Sequence, residues 1–471
     1  MTASIIDDAR FGPFHRKMFL LTAGGQFLDG YLLSIVGVVV LGMSEDLGIS
    51  ASDEGLIGAA ALVGLFAGGL VFGRVTDRIG RQLLFTLHFV VIAAASIASM
   101  FVNDPTLLVI LRFVIGVALG ADYAIGSALL SEWLPRAQRG RVMGMLITAW
   151  FVGAATAYVV GYAFVTLIDS GAWRWALGSA AVPAVVFIIA GTGTPESPRW
   201  LISRGRVDEA REVLRRVYGE EATTPEAIES LQVDETAHGL GFAEVFRGGY
   251  LRRTAFVGLF WLLQIVPLFA IYTFGPTILN AFGMSSTNDS IIGSALISVL
   301  FVIGCLPALR LIDTLGRRLL IIWSFALMTI PLAILGLMPT APVAVVIACF
   351  CAYAFFSGGP NILEFIYPTE LFPTEVRATA VGIGTAVSRI GAAIGTYLLP
   401  IGLDLIGVGA TMLIMAAITL LGFAICVALA PETRGRRLAD ASATSPVGAT
   451  AESQAMGDRT GVSHDPSAVD R

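Results

Sequence analysis

Apolar residues run through this chain in twelve long stretches, separated by short polar or charged turns. They lie at roughly 18–43, 54–75, 83–102, 106–130, 141–166, 174–192, 253–280, 289–312, 319–338, 342–366, 377–403 and 407–430. An α-helix needs about 20 apolar residues to cross the ~30 Å hydrocarbon core of a bilayer, so each run predicts a membrane-spanning helix. The fold class predicted is an all-α membrane protein of twelve transmembrane helices. The first run follows Arg16 and Lys17, as the apolar part of a signal peptide would. It is about 25 residues long and lacks a small-x-small cleavage site, so it reads as a retained helix.

Composition agrees: 56% of the 471 residues are hydrophobic and only 14% are charged. The net charge of −5 says less than the placement of the basic residues. Arg10, Arg16 and Lys17, then Arg74, Arg78 and Arg81, then Arg136, Arg139 and Arg141 fall on one side of the predicted weave. Arg310, Arg317, Arg318, Arg377, Arg434, Arg436 and Arg437 fall there too, as does the whole basic loop 193–252. Loops on the other side are almost bare of positive charge, with Arg174 the exception. The positive-inside rule puts both termini in the cytoplasm of a cell-membrane protein. Cys305, Cys349, Cys351 and Cys426 fall inside predicted helices without zinc-like spacing, and read as small buried residues.

The apolar runs divide the chain into a short tail (1–17), a six-helix bundle (18–192), a linker (193–252), a second bundle (253–430) and a final tail (431–471). Within the linker Val207, Ala210, Val213, Leu214 and Val217 recur at helical spacing opposite Asp208, Arg211, Glu212, Arg215 and Arg216. That is an amphipathic helix suited to the inner mouth or the lipid surface. The last tail, rich in Ala, Ser, Thr, Gly and Asp, has no apolar period and reads as largely disordered.

The two bundles repeat one another. Asp77-Arg78-Ile79-Gly80-Arg81 returns as Asp313-Thr314-Leu315-Gly316-Arg317, 236 positions later. Glu132-Trp133-Leu134-Pro135 with Arg139 returns as Glu370-Leu371-Phe372-Pro373 with Arg377, at offset 238. Pro195-Glu196-Ser197 returns as Pro431-Glu432-Thr433, again at 236. Three motifs in one order mark a duplicated unit of about 237 residues, the plan of a transporter built from two packed halves.

Gly73-x-x-x-Asp77-Arg78-x-Gly80-Arg81 at the end of the second helix resembles a signature of the major facilitator superfamily. Pro195-Glu196-Ser197-Pro198-Arg199-Trp200-Leu201, Pro431-Glu432-Thr433-Arg434-Gly435, Arg112-x-x-x-Gly116-x-x-x-Gly120 and the run Tyr367 to Arg377 resemble its sugar-porter-like branch. The resemblance covers residues 15 to about 437, with Leu309 replacing the leading glycine in the second copy. It implies a cytoplasmic gate formed by Asp77, Arg81, Glu132, Arg139, Glu196 and Arg199 with Asp313, Arg317, Glu370, Arg377, Glu432 and Arg434. The alternative is that these charges only orient loops and satisfy helix ends.

Five charges fall inside the predicted spans: Asp29, Arg112, Asp122, Glu364 and Arg389. An ionised side chain at a helix centre costs about 2.5–3.5 kcal/mol on insertion scales, so such charges pair or face a wet cavity. None has an acid or base at the equivalent place in the other repeat, which points to chemistry rather than architecture. Asp29 and Arg112 resemble the proton-coupling pair of sugar porters, or alternatively a permanent tie between helices 1 and 4. Asp122, in Gly120-Ala121-Asp122-Tyr123, resembles the corresponding block of phosphate and organic-metabolite symporters; it could be a second proton site or part of the gate. His88 has no partner evident from the sequence, and packing is expected of it.

The candidate substrate residues are Gln264, Asn361, Glu364, Ser388, Arg389, Trp150 and Tyr272. Gln264 and Pro276 keep the sugar-porter spacing, but Phe269, Ile147, Ala154 and Ser388-Arg389 replace polar groups of that family. A buried guanidinium favours a carboxylate or phosphate, unless Glu364 neutralises Arg389. Ser357-Gly358-Gly359-Pro360-Asn361 should break the tenth helix where its backbone lines a cavity. The expectation is proton-coupled uptake of a small anionic metabolite by alternating access, through a monomer; the rivals are a sugar–proton symporter and a passive sugar uniporter. No nucleotide loop, metal cluster or nucleophile constellation is evident, so neither enzyme activity, a cofactor nor nucleic-acid binding is expected.

Overall fold

The computed structural model describes residues 9, 11–168, 170–229, 231, 244–246, 248–284, 286–372 and 374–434. The expected last tail beyond 434 lies outside them, as do the first eight residues and most of 232–247. Eighteen α-helices are present among the described residues. The first bundle comprises α1 (Pro13–Leu47), α2 (Ala51–Ile79), α3 (Arg81–Ser99), α4 (Pro105–Trp133) and α5 (Arg136–Leu167), with α6 (Ala172–Gly178) and α7 (Ala181–Gly191) sharing one span. The linker carries α8 (Pro198–Ser203), α9 (Val207–Tyr218) and α10 (Pro225–Glu229). The second bundle begins with α11 (Gly248–Thr273) and α12 (Gly275–Ala281), followed by α13 (Thr287–Thr314) and α14 (Arg317–Leu337). Then α15 (Val343–Phe356) and α16 (Gly358–Leu371) make one span, before α17 (Thr374–Leu405) and α18 (Gly407–Leu429). Twelve helical spans are long and apolar enough to cross a membrane.

Between helices in lipid there is no hydrophobic driving force, so small residues that let backbones touch become the main packing device. A methyl group at Gly68 of α2 would overlap the Val117 carbonyl of α4, and one at Gly120 would overlap the Leu65 carbonyl. The second bundle repeats the arrangement at the motif offsets. Gly304 of α13 lies against the Phe355 carbonyl, and Gly358 lies against Gly304 itself. The α1–α5 crossing follows the same plan, with Gly30 on the Trp150 carbonyl and Gly153 on the Phe27 carbonyl. Gly391 and Gly395 of α17 do the equivalent against Leu262 and Val266 of α11.

The repeated charged motifs also perform one structural task twice. Gly80 and Gly316 have positive φ, 115° and 86°, and turn the chain from one span into the next. Against each lies a carboxylate from the end of its own bundle. Glu196 accepts the Gln82 N–H at 3.0 Å, and Glu432 accepts the N–H groups of Arg317 and Arg318 at 3.1 and 3.2 Å. Both carboxylates therefore satisfy donors at the start of a helix, where the macrodipole also favours negative charge.

Besides the divided sixth span, two spans depart from simple rods. The seventh breaks at Phe274, before Gly275-Pro276, rather than running unbroken from 253 to 280. The tenth breaks at Ser357, inside the expected Ser-Gly-Gly-Pro-Asn segment, but for a different reason than a cavity. Gly358 meets α13, and a methyl group at Gly359 would overlap the Ser324 hydroxyl of α14, so the glycines serve helix contact. In the linker, α9 buries Ala210 and Leu214 in a small separate core with Trp200, Leu201, Ala222 and Ile228. Its last residue, Tyr218, donates to the Trp133 carbonyl at 3.2 Å and meets the His15 ring at 3.3 Å. The amphipathic helix thus docks on the ends of α1 and α4, and burial pushes the Tyr218 hydroxyl pKa up.

With twelve spans, the start of α1 and the end of α18, and so the sides from which the two termini leave, share one face. Among the described residues, polar contacts between the bundles lie at mid-depth or towards the opposite face. Ser52 meets Tyr397, and the Tyr158 hydroxyl donates to the Tyr272 carbonyl at 3.0 Å.

The repeated carboxylate tether makes a symmetric prediction. Glu196→Ala and Glu432→Ala should each lower stability by about 0.5–2 kcal/mol, the usual worth of a helix cap. Thermal unfolding of the purified protein in detergent measures this; a loss in one variant with none in the other would mean the two copies do different jobs.

Candidate substrate and proton site

Three of the five charges inside the membrane, Asp29, Glu364 and Arg389, gather where the two bundles meet. The α1–α5 crossing at Gly30 and Gly153 brings the Trp150 indole to Asp29, and its N–H donates to the Asp29 carboxylate at 2.6 Å. The Tyr123 hydroxyl of α4 donates to the same oxygen at 2.7 Å. Asp29 is 1% exposed, and its second oxygen has no hydrogen-bond partner. One face of this carboxylate is therefore held rigidly and the other is left to a charge or a proton.

That charge comes from the other bundle. Arg389 of α17 lies with its guanidinium 5.2 Å from the centre of the Tyr123 ring and 5.8 Å from that of Phe269. It is close enough to interact electrostatically with both Asp29 and Glu364. It makes no hydrogen bond or ion pair among the described residues, and its Nε is buried and unpartnered. Cation–π contact stabilises such a group by about 0.5–2 kcal/mol but leaves every N–H free. Arg389 thus presents a five-donor guanidinium within electrostatic reach of one carboxylate from each bundle.

Arg112 behaves differently from the expectation of a pair with Asp29. It is buried in α4, and its Nη2 donates to the Leu32 carbonyl at 2.9 Å, one turn along α1 from Asp29. Its Nε and Nη1 have no hydrogen-bond partners. No Asp29–Arg112 ion pair is present among the described residues, because Arg112 is turned to the Leu32 carbonyl one helical turn away. Asp122 does not join the charged cluster at the helix ends either; it lies inside the first bundle, 3.5 Å from His88 Nε2.

The remaining candidates split into two groups. Gln264 donates to Asn361 at 2.5 Å, and Glu364 stands beside Trp261 and Arg389, so these C-terminal-bundle residues form one polar strip on α11, α16 and α17. Tyr272 lies against Trp150 with ring centres 5.4 Å apart and planes tilted by 44°, closing the aromatic wall between bundles. Ser388, by contrast, gives its hydroxyl to Thr385 on its own helix at 2.7 Å.

At the face bearing the termini, Arg317 holds Glu370 at 2.7 Å and Asp313 at 3.7 Å, while Thr433 also donates to Glu370. Arg434 donates to the Thr314 carbonyl, and Arg199 lies near Tyr218. Arg81 also makes contacts. The side chains of Asp77, Glu132, Arg139 and Arg377 lie outside the described residues. Every described partnership of these gate candidates lies within one half of the chain.

Tyr123 and His88 are the residues whose roles the sequence did not reveal. Tyr123 adjoins Asp122, yet neighbours on a helix point about 100° apart, so one faces the bundle interior and the other the interface. A spacing of 11 residues from Arg112, three helical turns, was the available signal that Tyr123 shares the face turned to α1.

Known proteins share both the sequence and the shape. The family described as "Sugar (and other) transporter" matches residues 17–444. YaaU of Escherichia coli (strain K12), named for metabolite transport, is 42% identical over 437 residues, covering 93% of this chain and 96% of that protein. The inner membrane metabolite transport protein YgcS of the same organism is 36% identical, covering 91% and 94%. The structure of the xylose transporter XylE from E. coli superimposes with a TM-score of 0.75 at 21% identity, covering 90% of this chain and all of that one. Together with the twelve spans and the two related bundles, the match identifies an integral protein of the cell membrane: the chain belongs to the sugar (and other) transporter family, as a carrier of the sugar-porter type within the major facilitator superfamily.

Proposed function

We propose that the protein takes up a small anionic metabolite, carboxylate-bearing, together with a proton, by alternating access between the two bundles. One observation carries this reading: Arg389, free of hydrogen bonds, stands between Asp29 of one bundle and Glu364 of the other. A neutral sugar offers the free N–H groups only single hydroxyl acceptors, whereas a carboxylate can take two of them side by side.

Charge balance supplies the coupling. With one of the two acids protonated, Asp29, Glu364 and Arg389 sum to zero. Binding a carboxylate would leave a net charge of −1 at bilayer depth, at a cost of about 2.5–3.5 kcal/mol, unless another proton enters with it. The anion also competes with Asp29 for Arg389, and an acid that loses its counter-cation binds a proton more readily. Proton and anion thus favour each other's binding, and by linkage the effect is reciprocal. Asp29 is the proton carrier in this scheme. Arg112, on the Leu32 carbonyl, is a second cation that tunes it once the helices shift; Gln264, Asn361, Trp150 and Tyr272 shape the cavity.

Both termini lie in the cytoplasm in this proposal, following the basic loops. The charged clusters there act as the inner gate. Their described pairs tie helices within a half, so each half would move as a rigid unit and the closing contacts would come from Asp77, Glu132, Arg139 and Arg377. The monomer is the working unit.

The reading is tested in liposomes holding a pH-sensitive dye, screened with pooled small carboxylates and pooled sugars. Substrate-dependent proton entry with carboxylates alone is the expected result, and entry with sugars alone would return the protein to sugar–proton symport. With a responding carboxylate in hand, Arg389→Gln should raise its apparent dissociation constant by roughly 30-fold or more, matching the about 2–5 kcal/mol lost on truncating a buried charge partner. A neutral analogue should change by only a few-fold; equal losses would make Arg389 a packing residue.

A pH series gives the sign of the coupling. As pH falls, the apparent dissociation constant of the carboxylate should fall by up to about tenfold per pH unit, because one proton accompanies each anion. Asp29→Asn should flatten this slope and abolish proton-driven accumulation while sparing exchange. An unchanged slope in that variant would remove Asp29 from the coupling.

A further inference from the structure

Behind Asp29, on the side of the termini, lies a second titratable group that the scheme above does not use. His88 of α3 and Asp122 of α4 face each other at 3.5 Å, 1% and 2% exposed. Neither imidazole nitrogen reaches hydrogen-bond geometry, although the Phe85 and Leu84 backbone of its own helix lies beside the ring, and the Asp122 oxygen nearest His88 makes no hydrogen bond either. The surrounding helices are shaped to admit this pair. A methyl group at Gly25 of α1 would overlap the Asp122 carboxylate, and one at Gly126 of α4 would sit 2.9 Å from it. His88 is enclosed by Phe85 and Phe89, and Phe187 of α7 stacks behind Phe89.

The groups facing the pair are few. From α1 come the Gln26 amide beside Asp122, Asp29 within electrostatic range, and the buried Thr22 hydroxyl, which has no hydrogen-bond partner. From α4 comes Tyr123, which is committed to Asp29. No described cation faces the pair, so its only route to neutrality is a proton. With one proton beyond carboxylate and neutral imidazole, the pair is uncharged overall, whichever partner carries it. Without that proton a net negative charge is left buried beside Asp29.

We infer that His88 and Asp122 form a second proton-binding site, which holds one proton as a unit and is electrostatically coupled to Asp29. Two acids that interact this closely titrate as a set, so protonation at Asp29 and at the pair are linked steps. The site lies between Asp29 and the face bearing the termini, where a proton leaving Asp29 for that face would meet it. A carrier with two such sites can move more protons than anions, which would make transport respond to the membrane voltage as well as to pH. The inference deepens the proton-coupled reading, but its test needs no transported substrate, so the two can fail separately.

The measurement is pH-difference infrared spectroscopy of the purified protein in lipid bilayers, following the carbonyl stretch of protonated carboxylic acids and the ring bands of histidine. Wild-type protein should show an acid signal that Asp29→Asn leaves in place and Asp122→Asn removes. His88→Gln should move the pH at which that signal is lost by one unit or more and remove the accompanying ring band. Thermal unfolding of each variant checks folding. If Asp122→Asn does not fold, His88→Gln and Asp122→Glu carry the test, the latter expected to keep the signal at a shifted frequency. The inference is overturned if Asp29→Asn abolishes the whole acid signal. It is equally overturned if His88→Gln leaves both the signal and its pH dependence unchanged.

Discussion

Everything in this molecule rests on helices touching backbone to backbone inside a solvent that does not push them together. In water, burying Leu and Phe would hold a bundle; in lipid those residues are as well solvated outside as in. Close approach at glycine restores dispersion contacts and weak Cα–H···O bonds, each small and collectively decisive. The glycines that do this are duplicated with the chain. Gly68, Gly120 and Gly153 have counterparts in Gly304, Gly358 and Gly391, at the offsets of 236 and 238 set by the charged motifs. The same frame is built twice.

On that symmetric frame the chemistry is placed once. Asp29 sits beside the α1–α5 crossing in the first bundle, and Arg389 beside the α11–α17 crossing in the second. The equivalent positions in the other copy, Ile265 and Phe151, are apolar. Two similar halves carrying a single set of charges suit the alternating access proposed above, in which only those charges would change company. A rocking motion that separated α1 from α17 would part Asp29 from Arg389, whereas Tyr123 and Trp150 would stay with Asp29 because they belong to its own bundle. This division between partners that travel together and partners that part is what proton coupling requires.

The charged residues near the helix ends, proposed above as the inner gate, have a structural use as well. Glu196 and Glu432 accept backbone N–H groups within their own halves, and Glu370 is held by Arg317 and Thr433. These contacts stiffen each half, which any rigid-body mechanism needs. The two uses are compatible, since a carboxylate has more acceptor sites than one helix end consumes.

Much of the fold was legible in the chain alone. Twelve apolar runs, the basic loops and the twice-written motifs follow from the thickness of a bilayer and from duplication, and neither depends on which helix touches which. The five intramembrane charges were also visible, because a charge in an apolar run is conspicuous wherever it points. Their partners were not. Asp29 and Arg112 share a bundle, yet Arg112 reaches the Leu32 carbonyl, and the cation facing Asp29 lies 360 residues away in sequence. His88, with no evident partner along the chain, meets Asp122 only because α3 packs on α4. Hydrophobic period and charge placement are local properties written into the sequence; who pairs with whom depends on the rotation of one helix against another, and that is decided only when the glycine contacts close.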